Sequence, residues 1–346
     1  MRQHLNTLFI TLEGAYLRKN GQAIEVRHDG ATKLRVPLHN LDGVVTFGWD
    51  ITATAALMHA CAENNITLSF HSPHGKFLSS TRGPISGNVL LRREQYRQAD
   101  LPSAALAIAK NIVAAKIANS RTVLMRAARD YGEQHPEKGY ELQKAADYLK
   151  HRIRMVAGAT SVESLLGFEG EAATIYFAQF SHLFTKVEEG ITFNGRTKRP
   201  PTDPFNAVLS LLYVLSMHDC RSACESCGID PQCGFLHQDR PGRYSLALDL
   251  QEEFRAIMAD RLAFSLINRK QLTKTDFDHL ENGAVVLKDA ARKLVLGTWQ
   301  ERKQETILHP FLDEKTTFGL LPFLQAKLMA RYLRGDLDAY PAFIWK

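Results

Sequence analysis

Glu169, His237 and the acids Asp249, Glu252 and Glu253, drawn from segments far apart in the chain, have the types from which a divalent-metal site is built. The first lies in SVESLLGFEGEAATIYFAQF, where Leu165, Ala172, Ala173, Tyr176 and Phe180 recur at the spacing of a core-facing helical stripe. Glu169 falls on that stripe. A carboxylate placed where a leucine belongs costs on the order of several kcal/mol unless it is paired, protonated or bound to a cation. Glu171, about half a turn away, can remain in water. The plain alternative for Glu169 is a structural ion pair with an arginine.

The second piece is GFLHQDRPGRYSLALDLQEEFR. Here a loop bearing His237 passes through Pro241-Gly242 into a helix that Ser245 is expected to cap. Leu246, Leu250, Phe254 and Ile257 make its apolar stripe, and Asp249 sits beside it. Glu252 and Glu253 follow three and four residues later, so either can share a face with Asp249, and spacing does not choose between them. Alone, such acids read as a solvated face or as salt bridges to Arg255, and a loop histidine as structural. Two carboxylates and an imidazole from separate segments together make a partly neutralised pocket suited to Mg²⁺ or Mn²⁺, the imidazole favouring Mn²⁺. Such a metal polarises a phosphoryl oxygen and activates a water or 3′-hydroxyl, as phosphodiester transfer requires.

Between these pieces, GRTKRPPTDP is a basic loop stiffened by prolines, ending in Asp203 as an N-cap with Pro204 at the first helical position. Arg196, Lys198 and Arg199 are its candidates for holding a DNA backbone. Cys220, Cys224, Cys227 and Cys233 follow C-x3-C-x2-C-x5-C and raise zinc as a rival. Positions 220, 224 and 227 also fit one face of an ordinary helix, where cysteine acts as a small core hydrophobe.

The elements that must position these groups fall into two parts, an α+β arrangement. Residues 1–82 read as a small β-domain with one helix. Its strands are Thr7–Leu12, Ala15–Arg18, Ala23–Val26, Leu34–Leu38, Val44–Phe47 and Ile66–Phe70, with turns at Asn20-Gly21 and Asp29-Gly30 and a helix capped by Asp50. Residues 83–102 form the expected linker, broken by Gly83-Pro84 and Gly87. From 103 to 346 helical periodicity dominates, over 103–131, 137–157, 161–186, 204–227, 245–268, 273–303 and 317–334. The first of these carries Lys110, Lys116, Arg121, Arg126 and Arg129, which read as a solvated basic face.

The bulk composition agrees with that division. With 346 residues, 45% of them hydrophobic and 23% charged, the chain has the make-up of an ordinary globular protein of about two domains. A net charge of +6 favours polyanionic partners without saying which. Five cysteines suit a reducing compartment. No export signal or membrane span is visible, so a cytoplasmic location is expected.

The segments GFEGEAATIYF, GRTKRPPTDPFNAVLSLLY and GFLHQDRPGRYSLALDLQEEFR, in this order, resemble the universal CRISPR-associated endonuclease and integrase of spacer acquisition. The likeness looks closest to the type I-C branch and runs to the closing YPAFIWK. It implies that the family's metal-binding glutamate falls on Glu169, its histidine on His237 and its second acidic ligand on Glu252, with Asp249 as a supporting acid. It also implies a β-domain joined to a helical catalytic domain, a homodimer formed through the β-domains, and two such dimers flanking a dimer of a small companion protein. The activity implied is attack by a protospacer 3′-hydroxyl on a repeat phosphodiester at the leader end of a CRISPR array. Double-stranded DNA is then both substrate and partner. Water as nucleophile would give nicking at the same site. The cysteines at 224, 227 and 233 depart from the family pattern. A non-enzymatic DNA scaffold and a zinc-organised regulator are the readings of other classes. The tail Tyr340–Trp345 is expected to pack on its own helical domain or on the companion protein.

Overall fold

The computed structural model describes residues 7–41, 43–64, 66–73, 77–81, 89–185, 190–191 and 193–345. The Gly83-Pro84 and Gly87 breaks of the expected linker lie outside the described residues. In chain order the strands are β1 (Thr7–Ile10), β2 (Tyr16–Asn20), β3 (Ala23–His28), β4 (Ala31–Pro37), β5 (Gly43–Phe47), β6 (Thr52–Ala53), β7 (Thr67–His71), β8 (Phe77–Ser80), β9 (Phe277–His279), β10 (Val285–Leu287), β11 (Thr306–His309) and β12 (Glu314–Thr317). The helices are α1 (Ala55–Glu63), α2 (Val89–Asp100), α3 (Pro102–Gly132), α4 (Pro136–Ala157), α5 (Val162–Ala178), α6 (Phe180–Leu183), α7 (Pro204–Ser226), α8 (Ser245–Glu252), α9 (Arg261–Asn268), α10 (Asp289–Gln304) and α11 (Leu321–Leu333). The chain divides into two compact units, Met1–Gly87 with Leu287–Glu305, and Asn88–Val286 with Thr306–Lys346.

The first unit holds two four-stranded sheets, ordered β1-β5-β7-β8 and β4-β3-β2-β6. Its hairpins are made by the turn residues read from the sequence. Asn20 pairs with Ala23 across a two-residue loop in which Gly21 has φ of 60°, and His28 pairs with Ala31 across Asp29 and Gly30, at 52° and 75°. In the second hairpin both central positions are left-handed and in the first only Gly21 is, and such primed turns carry the twist that matches the flanking strands. Ile10, Leu17, Ile24, Val26, Val44 and Leu68 meet Leu57, Ala60 and Cys61 of α1 in the core. The cap of α1 is Thr54, whose hydroxyl accepts from Leu57 N–H at 3.3 Å, and not Asp50. The Glu13 carboxylate instead accepts the Trp49 and Asp50 N–H groups at 2.8 and 2.6 Å, so that turn closes before the helix begins.

In the second unit α3 is central, with buried residues on nearly every side, and α4 folds back along it. Gly132 and Gly139 permit that return, since a Cβ at Gly139 would lie 2.8 Å from the Gly132 Cα. Ser161 caps α5 and Asp203 caps α7 with Pro204 at its first position, as the sequence predicts. Ser245 does not cap α8. Its hydroxyl donates to Gln238 O, and the N–H groups of Leu246 and Ala247 are taken by the Pro231 carbonyl at 3.0 and 3.3 Å.

Three further expectations change. The interval 83–102 contains a helix, α2, which belongs to the second unit. The helix expected over 273–303 is a hairpin, β9 with β10, followed by α10, and α10 belongs to the first unit. Asn282-Gly283, with Gly283 at φ of 78°, supplies the turn between β9 and β10 that the apolar spacing obscured. A second hairpin, β11 with β12, joins α10 to α11. Among the described residues no single helix is long and apolar enough to cross a membrane.

Candidate active site

The loop carrying His237 is fastened to the helix that follows it by one buried side chain. Asp249, on α8 and 0% exposed, accepts N–H bonds from Phe235 at 2.6 Å, Leu236 at 3.0 Å and His237 at 3.0 Å. The same carboxylate lies 2.7 Å from His237 Nδ1. Three backbone donors and a ring nitrogen satisfy a carboxylate that burial would otherwise penalise. With Nδ1 committed, Nε2 remains as the ring's ligand atom. The close approach needs Gly234, because a Cβ there would stand 2.8 Å from Ser245 and 2.9 Å from Asp249 Oδ2.

The other side of the loop is held by α2. Gln95, 0% exposed, donates to the carbonyls of Asp230 and Cys233 at 2.8 Å each and accepts Asp230 N–H at 2.8 Å. A helix standing where a linker was expected thus braces the histidine loop.

Glu169 on α5 and Glu252 on α8 converge on one cation. Lys116, from α3, makes an ion pair with Glu169 Oε1 and places its Nζ 2.6 Å from Glu252 Oε2. Arg255 pairs with the other Glu252 oxygen at 2.7 Å. Burial alone would raise the Glu252 carboxyl. Arg255, Lys116 and the nearby His237 outweigh it and hold the group well below the usual carboxylate range. The Lys116 ammonium adds a hydrogen bond to its charge in favouring the ionised Glu252.

Beyond Glu252 the helix continues as a π-helical stretch, Arg255–Asp260, before α9. π-Turns recur at functional sites because they re-aim side chains. Here Glu252, Arg255 and Asp260 all line one small pocket with Lys116, Glu169, Tyr176 and Tyr213. Asp260 accepts the hydroxyls of Tyr176 at 3.0 Å and Tyr213 at 2.6 Å, and burial raises its pKa against those bonds and Arg255. Glu253, the alternative that spacing left open, points away. Its carboxylate accepts from Tyr340 at 2.6 Å, Phe343 N–H at 2.6 Å and Gln325 at 2.9 Å, tying down the C-terminal tail. The tail therefore packs on its own helical unit, where Trp345 lies under Arg126 and Arg261.

The three basic-loop candidates separate. Arg196 is spent within the fold, donating to Asn206 at 2.7 Å and Ser210 at 3.1 Å. Lys198 is exposed at the surface, and partial desolvation followed by the nearby cations Arg255, Arg196 and Lys116 lowers its pKa against Glu252. Arg199 is exposed.

Glu169 and Glu252 are thus brought together, with His237 close enough to Glu252 to stabilise its charge. Yet among the described residues no three His, Cys, Asp or Glu side chains are grouped as a ready-made metal site. The ammonium of Lys116 lies where the two carboxylates meet. The donor chemistry still fits a hard divalent cation: two carboxylates that converge from separate helices and an imidazole nitrogen oriented by an acid. Lys116 and Gln95 are the residues that reading the sequence missed. The basic residues of α3 read as a solvated face, yet Ala115 and Ile117 on either side of Lys116 are buried. None of the five cysteines is in a disulfide, and Cys220, Cys224 and Cys233 are buried.

Residues 8–301 match the model of one protein family, described as "CRISPR associated protein Cas1". The chain is 50% identical over 348 residues to "CRISPR-associated endonuclease Cas1 2" of Rhodospirillum rubrum and 49% identical over 348 residues to "CRISPR-associated endonuclease Cas1 1" of Chlorobaculum tepidum, covering 100% of each chain in both cases. Among solved structures it shares its fold with a Cas1 protein from Thermotoga maritima, with a TM-score of 0.82 and 20% identity over 97% of this chain and 99% of that one. A chain of a "Cas6-RT-Cas1--Cas2 complex" superposes with a TM-score of 0.80 at 26% identity, over 97% of this chain and 36% of that longer one. With its β-rich first unit, helical second unit and these matches over nearly its whole length, the chain belongs to the Cas1 family of CRISPR-associated proteins.

Proposed function

We propose that this chain cleaves and joins DNA phosphodiester bonds during CRISPR spacer acquisition, at a divalent-metal site held by Glu169, His237 and Glu252. The observation carrying the reading is the convergence of Glu169 and Glu252, from separate helices, on a single cation beside His237. Relatives of full length named as endonucleases support it.

Mg²⁺ or Mn²⁺ bound there would polarise a phosphoryl oxygen and lower the pKa of a water or 3′-hydroxyl. The chain's own residues do the rest. Asp249 fixes the His237 ring and tautomer, which keeps Nε2 as the ring's ligand atom. Lys198 and Arg255 set positive charge beside Glu252, which draws a DNA phosphate towards the acids and offsets charge that develops on it. A protospacer 3′-hydroxyl in that position gives integration, and water gives nicking. Arg199 contacts the DNA backbone from the loop rim, whereas Arg196 shapes the loop.

Further parts of the reading concern assembly. The chain pairs as a homodimer through residues 1–82, acts in the cytoplasm and belongs to a type I-C adaptation system. It works with a small companion protein, as the name of the Cas1–Cas2 complex states for that relative.

The test is strand transfer from a labelled duplex in Mn²⁺. Glu169→Ala and His237→Ala should each lower joining by about a hundredfold or more while leaving DNA binding largely intact. Normal joining by either variant would overturn the assignment and favour a DNA-binding scaffold.

A further inference from the structure

Lys116 occupies an unusual position. It projects from the central helix α3 with its side chain 15% exposed, and its ammonium is held between carboxylates from two other helices, 20% and 6% exposed. Glu252 has a second cation in Arg255, but Glu169 reaches that neutrality through Lys116. Around the two converging carboxylates the charges already balance, one ammonium and one guanidinium, while Asp260 of the same pocket is held by the hydroxyls of Tyr176 and Tyr213. Adding a divalent ion while the ammonium stayed would crowd like charges where solvent screening is poor.

We infer that Lys116 is a displaceable internal cation: in the metal-free chain it neutralises Glu169 and Glu252, and a divalent ion enters by expelling its ammonium from between them. This rests on the reading that Glu169, Glu252 and His237 bind the metal. Two consequences follow. The helices α3, α5 and α8 stay fastened together without metal, which a bare pair of facing carboxylates would oppose. Once expelled, the ammonium lies on a flexible four-carbon stem beside Lys198, placed to meet a DNA phosphate.

The experiment is Mn²⁺ titration of the full chain, followed through the magnetic-resonance signal of free Mn²⁺, for wild type, Lys116→Met, Lys116→Gln and Glu169→Gln. Lys116→Met and Lys116→Gln should bind Mn²⁺ about tenfold tighter than wild type or better, since no resident charge has to leave. Each should melt lower than wild type without metal and recover when Mn²⁺ is added. Equal or weaker binding by both variants overturns the inference while leaving the metal reading intact. Wild-type binding that Glu169→Gln does not weaken overturns the metal reading itself and the inference with it. Should both lysine variants fail to fold, reductive methylation of Lys116 in the wild-type chain, mapped by mass spectrometry, decides. Displacement predicts a severalfold faster reaction with Mn²⁺ present, and an unchanged rate sinks the inference.

Discussion

Asp249 and His237 are joined twice through one oxygen: Oδ1 accepts the His237 backbone N–H at 3.0 Å and lies 2.7 Å from the ring Nδ1. Main chain and imidazole are thus located by the same buried atom. Asp249→Asn keeps the size but presents an amide N–H₂ to groups that need an acceptor. It should cost about 2–4 kcal/mol of stability and lower Mn²⁺ affinity and strand joining by about 10–100-fold. Thermal melts and the joining assay check this, and wild-type joining by Asp249→Asn would show that the ring is held by something else.

Gln95 makes three hydrogen bonds to the backbone of residues 230 and 233 while wholly buried. Gln95→Leu fills similar space but strands two carbonyls and an N–H, and should cost about 2–4 kcal/mol in urea denaturation. Joining should fall with it because the histidine loop loses its brace. A change below about 0.5 kcal/mol would mean that water replaces the side chain without loss.

Burial pushes the Glu253 carboxyl up to about 8, against the donors Phe343, Tyr340 and Gln325. Between an ordinary value of 4.5 and about 8 the folded chain keeps a proton that the unfolded chain releases. The contribution is therefore complete below about pH 4.5 and is lost as pH rises through about 8. Melting temperatures should decline over that window more steeply in wild type than in Glu253→Gln, where nothing titrates. Parallel profiles would show that Glu253 is ionised in the fold.

Burial pushes the thiols of Cys227 and Cys233 up to about 12. Both should stay protonated at pH 8 and alkylate at least about tenfold more slowly in the native chain than after unfolding. Protein purified without added zinc should hold none. One tightly bound zinc per chain would restore the metal-binding reading of these cysteines.

Much of the fold was legible because it is local. A hairpin turns after Asn20 with Gly21 as its left-handed residue, Asp29-Gly30 makes the second, and Ser161 and Asp203 cap the helices they precede. Glu169 could be picked out because a carboxylate on an apolar stripe must have a partner. The region of α2 was lost among charged residues, since only Leu91 and Gln95 of that helix are buried. Asn282-Gly283 was a turn signal that helical spacing on either side overrode.

By itself the sequence determined which residue types were available for the chemistry and which short segments would be helix, turn or cap, because those outcomes depend on backbone and side-chain groups within about four residues of one another. Only the tertiary structure decided that Glu253 ties down the C-terminal tail, that Asp249 holds the His237 loop, and that Lys116 stands between two acids. Each of these depends on how α3, α5 and the π-distorted helix after Ser245 are rotated against one another. That rotation is settled by core packing over long stretches of chain, and no local spacing encodes it.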